Sequence, residues 1–214
     1  TLEKFSHRVL KKDCLDLPDK VYTRRTVELT PEQRKLYDQM KRTALAIIEG
    51  EGLVSAPTVL TQILRLQQVC SGFAKLEDGR IINVPSNKLN ELMAALEEID
   101  GKVIIWGNFT HDLHIIYDEL TKVYGENSSE LFYGGTPGEE RQLIVERFQD
   151  PKSPLRFFVG QPRTGGYGLT LTEAHTVIYY SNGYDLEVRL QSEDRAHRIG
   201  QTNKVTYIDL LAEN

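Results

Sequence analysis

The chain has 214 residues, 40% of them hydrophobic and 27% charged, which allows a substantial core in one domain with an appendage. No run of about 18 apolar residues is present to cross a bilayer, and the opening TLEKFSHRVLKK has neither a signal-peptide core nor an initiator methionine, which points to a piece of a longer chain. The net charge of -5 excludes a wholesale basic surface, so nucleic-acid contacts have to come from a local strip, and the two cysteines, Cys14 and Cys70, sit in no metal or disulfide spacing and suit a reducing compartment.

Residues 1–30 are basic and then extended: Arg8, Lys11 and Lys12 precede Leu17-Pro18-Asp19-Lys20, after which VYTRRTVEL alternates as a strand does. Thr30-Pro31-Glu32-Gln33 combines an N-cap, a first-turn proline and a capping-box glutamine, and Leu36, Tyr37, Met40, Ala44, Ile47 and Ile48 mark one helix face to about residue 49. After Gly50-Glu51-Gly52 a second helical pattern, with Leu60, Ile63, Leu64 and Val69 inward, ends near Cys70. Phe73 to Val84 reads as a hairpin around Asp78-Gly79, and Pro85 closes this helical part. The expected division is therefore 1–30 as a linker, 31–85 as a helical subdomain with a hairpin, and 86–214 as the main domain.

From Ser86 helices and strands alternate. A helix starting at Ser86 leads to the strand KVIIW at 102–106; a helix over 110–124 ends on Gly125 as C-cap; ELFY is a short strand ending at Tyr133. Thr136-Pro137-Gly138-Glu139 starts another helix with a second capping box, strands follow at 155–159 and 176–180, and QSEDRAHR reads as a helix before the last strand, VTYIDLL. Apolar strands alternating with amphipathic helices predict an α/β fold, a mostly parallel sheet flanked by helices, whose ligands bind near the carboxyl ends of the strands.

Within QSEDRAHRIGQ, Arg195 and Arg198 stand three apart, so that on a helix both guanidiniums leave from one face and suit a polyphosphate. For a bare arginine pair the commoner alternative is a solvated helix with Glu193–Arg195 and Asp194–Arg198 ion pairs. Asn108-Phe109-Thr110 follows the KVIIW strand, where an amide, a hydroxyl and helix amides can hold a phosphate, although Thr110 alone reads as an N-cap. Tyr133-Gly134-Gly135-Thr136-Pro137 with Arg141 lets a backbone approach closely, and Gly165, Gly166 and Gly168 in QPRTGGYGLTL permit a nest for an anionic oxygen. There is no GxxxxGK[ST]; Asp118-Glu119 lies inside a helix, and His111 and His114 have no further ligands nearby, so no metal site is expected.

These blocks together resemble the second motor lobe of superfamily 2 helicases in the Swi/Snf-type form. The eight residues DRAHRIGQ match that family's motif VI, the 161–171 stretch resembles motif V, and Gly107-Asn108-Phe109-Thr110 partially matches motif IV. LTQILRLQQVCSG resembles the family helix ending in Leu-Arg-x-x-Cys, and residues 1–30 look like its inter-lobe linker. The resemblance implies a RecA-like lobe acting on ATP and Mg2+ held mainly by an absent P-loop lobe of the same protein, with double-stranded DNA as partner and no membrane. It makes Arg198 the arginine finger, Arg195 its partner and Gln191 a residue fixing the closed geometry. Gly165, Gly166, Gly168 and Asp194 would support the ATP site; Asn108, Phe109, Thr110, Gly135, Thr136, Arg141, Arg163 and Thr164 would grip DNA. Without its first lobe the chain is expected to be an inactive part of a DNA-dependent ATPase; a freestanding nucleic-acid- or protein-binding module is the alternative. Ser181-Asn182-Gly183-Tyr184-Asp185 departs from the remodellers' Asp-x-x-Trp-Asn-Pro, which suggests a bacterial or phage member and a cytoplasmic location, or a nuclear one in a eukaryote.

Overall fold

The strand Lys102–Trp106 (β4) shows why the main domain folds as it does: all five of its residues are buried, and they alternate between two cores. Val103 and Ile105 pack with Leu92, Leu113, Ile116 and Tyr180 on one face, while Ile104 and Trp106 pack with Phe148, Phe158, Tyr179 and Tyr207 on the other. A strand covered on both faces reads in sequence as an unbroken apolar run, and it needs helices on both sides. The computed structural model describes residues 17–50, 56–76, 78–164 and 168–213. The basic run at Arg8, Lys11 and Lys12, and Gly165 and Gly166, lie outside the described residues.

The element order is β1 (Lys20–Glu28), α1 (Pro31–Gly50), α2 (Ala56–Ser71), β2 (Phe73–Lys75), β3 (Ile81–Asn83), α3 (Lys88–Glu97), β4, α4 (Thr110–Tyr124), β5 (Ser129–Phe132), α5 (Gly138–Gln149), β6 (Phe157–Gly160), β7 (Ala174–Tyr179), α6 (Leu186–Glu193) and β8 (Val205–Glu213). Six strands form one sheet in the order β1-β8-β7-β4-β6-β5, with every neighbouring pair parallel, the topology of a RecA-like lobe. The extended segment placed with the linker is an integral edge strand: β1 pairs with β8 from Lys20↔Val205 to Glu28↔Glu213. The hairpin β2–β3 forms a separate two-stranded sheet.

Local signals decide several boundaries. The capping box at Thr30 forms, with the Gln33 amide donating to Thr30 Oγ1 at 3.2 Å and the Thr30 amide donating to Gln33 Oε1 at 3.1 Å. Gln33 is also buried and donates Nε2 to the Val69 carbonyl at 2.8 Å, which ties α1 to α2. Gly125 caps α4 with φ 97°, in the region that favours glycine. Gly160 is required for another reason: a Cβ there would stand 2.8 Å from the Phe132 carbonyl oxygen and 3.0 Å from the Trp106 ring. Lys102, buried at the start of β4, donates Nζ to the carbonyls of Phe148 and Asp150 at 2.6 and 2.5 Å and so terminates α5.

Other local expectations are corrected. Leu60 and Leu64 point outward, 63% and 40% exposed, because α2 is covered mainly along its last two turns, where Gln68, Val69 and Ser71 are buried. α3 starts at Lys88 after Asn87, with no side-chain cap, while the Ser86 hydroxyl accepts from the Lys88 amide. The second capping box does not form. Pro137 occupies the cap of α5, and the buried Thr136 hydroxyl turns inward to donate to the Leu131 carbonyl and accept from the Tyr133 amide, both at 3.0 Å. Thr110 is the first residue of α4 rather than its N-cap, which is Phe109.

Candidate functional site

Two groups of side chains lie at opposite ends of the parallel sheet. At the carboxyl end, β4 leads into Asn108, Phe109 and Thr110, β6 into Gln161, Pro162, Arg163 and Thr164, and β7 into Ser181 to Asp185. A cavity of about 100 Å³ opens between them, lined by Asn108, Gln161, Arg163, Gly183, Asp185 and Arg189 among others. Thr110 and Arg163 are exposed; Gln161 Nε2 donates to Thr110 Oγ1 at 3.4 Å, and Arg163 Nη2 pairs with Asp185 at 3.3 Å. Asp185 in turn caps α6 through the Glu187 and Val188 amides.

The Asn108 loop is held from below. The Asn108 amide donates to Ser181 Oγ at 2.7 Å, and Ser181 Oγ donates to Asp112 Oδ2 at 2.6 Å, which also accepts from Ser71 Oγ at 3.3 Å. Asp112 is fully buried. Burial pushes its carboxyl up to about 7, against the opposing pulls of the Ser181 hydrogen bond, the Lys88 charge and the Ser71 hydroxyl. Phe109 packs edge-on against Phe73 of the hairpin, with ring centroids 5.4 Å apart. Arg141 is half-buried and engaged within its own loop: it donates to the carbonyls of Thr136 and Tyr133 at 3.0 and 3.2 Å and lies over the Phe132 ring. It and Thr136 shape the loop that leaves Gly134 and Gly135 exposed.

The two arginines sit at the other end. The expected helix through QSEDRAHR stops at Glu193, so Arg195 and Arg198 do not share a helix face. Tertiary contacts override the local pattern: Ala196 enters the core beside Val205 and Tyr207, and the Leu171 amide donates to the Arg195 carbonyl at 2.9 Å. Gln201, buried, donates Nε2 to the carbonyls of Thr172, Ala174 and Ala196 and so pins this turn to the amino end of β7. Arg195 is buried while Arg198 is exposed and donates Nη1 to the Gly168 and Leu169 carbonyls at 3.2 and 3.4 Å. Burial, and behind it the Arg198 charge, presses the Arg195 guanidinium below its ordinary pKa, so the two cations feel one another. Asp194 in the same turn offsets part of that repulsion. Gln191 lies on the exposed side of α6 and donates to Glu187 at 2.9 Å.

The ion pairs of a solvated helix are absent among the described residues for Glu193, which turns inward and is 3% exposed. It accepts from Arg189 Nε at 3.0 Å, Lys20 Nζ at 3.0 Å and the Tyr22 hydroxyl at 2.8 Å. Arg189 stacks 3.5 Å from the Tyr179 ring centroid and grips Asp209 bidentately at 2.6 and 3.1 Å. Asp194 lies 3.7 Å from Lys20. This network was missed from sequence. The Arg189 and Glu193 spacing of four was a usable signal, but the partners Lys20, Tyr22 and Asp209 come from distant strands.

The six-stranded parallel sheet flanked by helices is the fold of a RecA-like lobe. Residues 86–200 match the helicase conserved C-terminal domain, and the chain belongs to that family. It is 31% identical over 99% of its length to the SWI/SNF chromatin-remodeling complex subunit snf22 of Schizosaccharomyces pombe, and 31% identical over its whole length to an uncharacterized ATP-dependent helicase of Mycoplasma genitalium. The chain spans 14% and 20% of those two proteins. Among solved structures, the Sulfolobus solfataricus SWI2/SNF2 ATPase core in complex with dsDNA aligns with TM-score 0.72 and 27% identity, covering 94% of this chain and 43% of that one. The C-terminal part of the Fun30 ATPase domain aligns with TM-score 0.74 at 21% identity, covering 93% and 87%, a likeness of fold.

Proposed function

We propose that this lobe is the second half of an ATP-driven translocase on double-stranded DNA, completing a nucleotide site whose P-loop and magnesium belong to a first lobe. The observation that carries this is the motif VI turn, where Arg195 and the exposed Arg198 stand on one turn that Gln201 and the Leu171 amide fix to the sheet. The magnesium is assigned to the first lobe together with the nucleotide phosphates it would bridge, since the sequence carries no GxxxxGK[ST] run to cradle them. Arg198, exposed and held among the described residues by two carbonyls, swings to the developing γ-phosphoryl charge when the lobes close, and Arg195 raises the local potential from beneath. Gly168 and Asp194 border this turn, and Gln191 stabilises the closed arrangement from α6.

The carboxyl-end loops are assigned the DNA backbone. Asn108, Thr110, Gly135, Arg163 and Thr164 offer amides, hydroxyls and a cation without a base-reading element, which suits phosphate contacts. Phe109, Thr136 and Arg141 act through loop shape. The Sulfolobus relative was solved with dsDNA, which supports that choice of polymer.

Arg198→Ala in the two-lobed protein tests the reading. DNA-stimulated turnover should fall about 10³-fold while ATP affinity changes little, and Arg198→Lys should fail nearly as badly because a point charge cannot reproduce the fork. Wild-type turnover in Arg198→Ala with an unchanged melting temperature would return the chain to the class of binding modules.

A further inference from the structure

Motif VI is tied to the strand that enters the lobe from its N-terminal side, and the ties converge on one carboxylate. Glu193 ends α6, immediately before the turn that carries both arginines. Its Oε2 accepts two donors from β1, Lys20 Nζ at 3.0 Å and Tyr22 Oη at 2.8 Å, while Oε1 accepts Arg189 Nε. Three further contacts join the same two segments. Lys20 Nζ lies 3.7 Å from Asp194, His197 Nε2 is 2.7 Å from the Pro18 carbonyl, and Tyr22 stacks on Tyr207, whose hydroxyl donates to the Glu193 carbonyl at 2.9 Å. Positions 193, 194 and 197 of the arginine-bearing turn are therefore all held by residues 18 to 22.

We infer that Glu193 is a positioning residue that latches the incoming β1 segment to the motif VI turn, so that the placement of that segment sets how Arg195 and Arg198 are presented. This rests on the proposed motor function for its consequence, though not for its geometry. The latch has a physical logic. A carboxylate this buried is tolerated only while its donors remain in place. Displacing residues 18 to 22 would leave Oε2 of Glu193 without its two donors, with only the Arg189 pair on Oε1 remaining, and would loosen the turn that follows. Tyr22 shows how directed the contact is: the residue is 57% exposed, yet burial of its hydroxyl and the bond to Glu193 push the phenol up to about 12. Among the described strands β1 is an edge strand paired with β8 alone, so a change at its amino end reaches the motif VI turn directly rather than through the rest of the sheet.

The experiment has two arms. In the 214-residue chain, Tyr22→Phe and Lys20→Met are compared with wild type by amide hydrogen exchange. Exchange over residues 194–201 should quicken at least about tenfold while amides in α4 keep their rates, since local opening of a loosened turn precedes any global change. In the two-lobed protein, Tyr22→Phe and Glu193→Gln should lower kcat of the DNA-stimulated ATPase about 3- to 10-fold with KM for ATP held within about twofold, the pattern of an interaction realised in the transition state. The Tyr22→Phe plus Glu193→Gln double variant should be no worse than Glu193→Gln alone. Unchanged exchange over 194–201 in both β1 variants overturns the latch. So do additive effects on kcat, or wild-type kcat in Tyr22→Phe and Glu193→Gln alongside a crippled Arg198→Ala control. A fully active Arg198→Ala instead overturns the motor reading, and the exchange arm then stands by itself.

Discussion

Asp112→Asn separates the cost of one buried carboxyl from everything else in the lobe. Asp112 sits under the Asn108 loop with Oδ2 accepting from Ser181 and Ser71, and its Oδ1 has no hydrogen-bond partner among the described residues. Burial raises the carboxyl from 3.8 in the unfolded chain to about 7 when folded. Below pH 4 both states hold the proton, and the group contributes nothing to pH dependence. Between about pH 4 and pH 7 the unfolded state loses the proton while the folded state keeps it, so the unfolded state binds fewer protons and stability falls as pH rises. Above pH 7 the loss is complete and constant. A shift of about 3 units corresponds to about 4 kcal/mol, of which the part between pH 5 and pH 8 is about 2 to 3 kcal/mol. Asparagine keeps an acceptor for Ser181 and cannot titrate. The stability of Asp112→Asn relative to wild type, from urea denaturation at pH 5, 6, 7 and 8, should therefore climb by about 2 kcal/mol and level off above pH 7. Lys88 and Tyr180 feel the Asp112 charge, so the difference reports the Asp112 carboxyl together with its effect on those two neighbours. A difference that stays flat within about 0.5 kcal/mol across that range would show that the carboxylate is ionised in the folded state and the account is wrong.

Gly160→Ala should destabilise by about 1 to 3 kcal/mol, since its methyl would press on the Phe132 carbonyl at 2.8 Å and on Trp106; a melting temperature within a degree of wild type would mean that β5 and β6 can separate freely. The 214-residue chain should bind duplex DNA weakly, with an affinity that falls steeply with salt and is indifferent to sequence, because the assigned contacts are to phosphates and the net charge of -5 opposes the rest. Titration of two unrelated duplexes at two salt concentrations checks this, and a clear preference for one of them would reveal base readout.

The alternation of helix and strand and the unbroken apolar runs at KVIIW and RFFV were enough to read a parallel, two-sided sheet, because burial on both faces leaves its mark in local composition. The capping box at Thr30 and the C-cap at Gly125 were legible for the same reason, each needing only neighbours in sequence. What failed were inferences in which a side chain had a choice. Thr136 had the spacing of a cap, yet its hydroxyl found a better acceptor in the Leu131 carbonyl. Arg195 and Arg198 had helical spacing, but the helix ended because Glu193 and Ala196 were drawn to β1 and the core. The site residues themselves were read from a family pattern, and Asp112, Lys20 and Glu193 carry no such pattern. Their roles arise from contacts between residues 41 to 173 positions apart.

The pairing of β1 with β8 also bears on how the protein is made. Lys20 pairs with Val205, so the first strand of the sheet to be synthesised is completed only by the last, 185 residues later. At roughly 5 to 20 residues per second, that leaves the segment waiting roughly 10 to 40 s on the ribosome, its backbone unpaired. Its two arginines, Arg24 and Arg25, and its lysine, Lys20, give it the charged character that keeps a lone strand from pairing with the wrong neighbour during that interval.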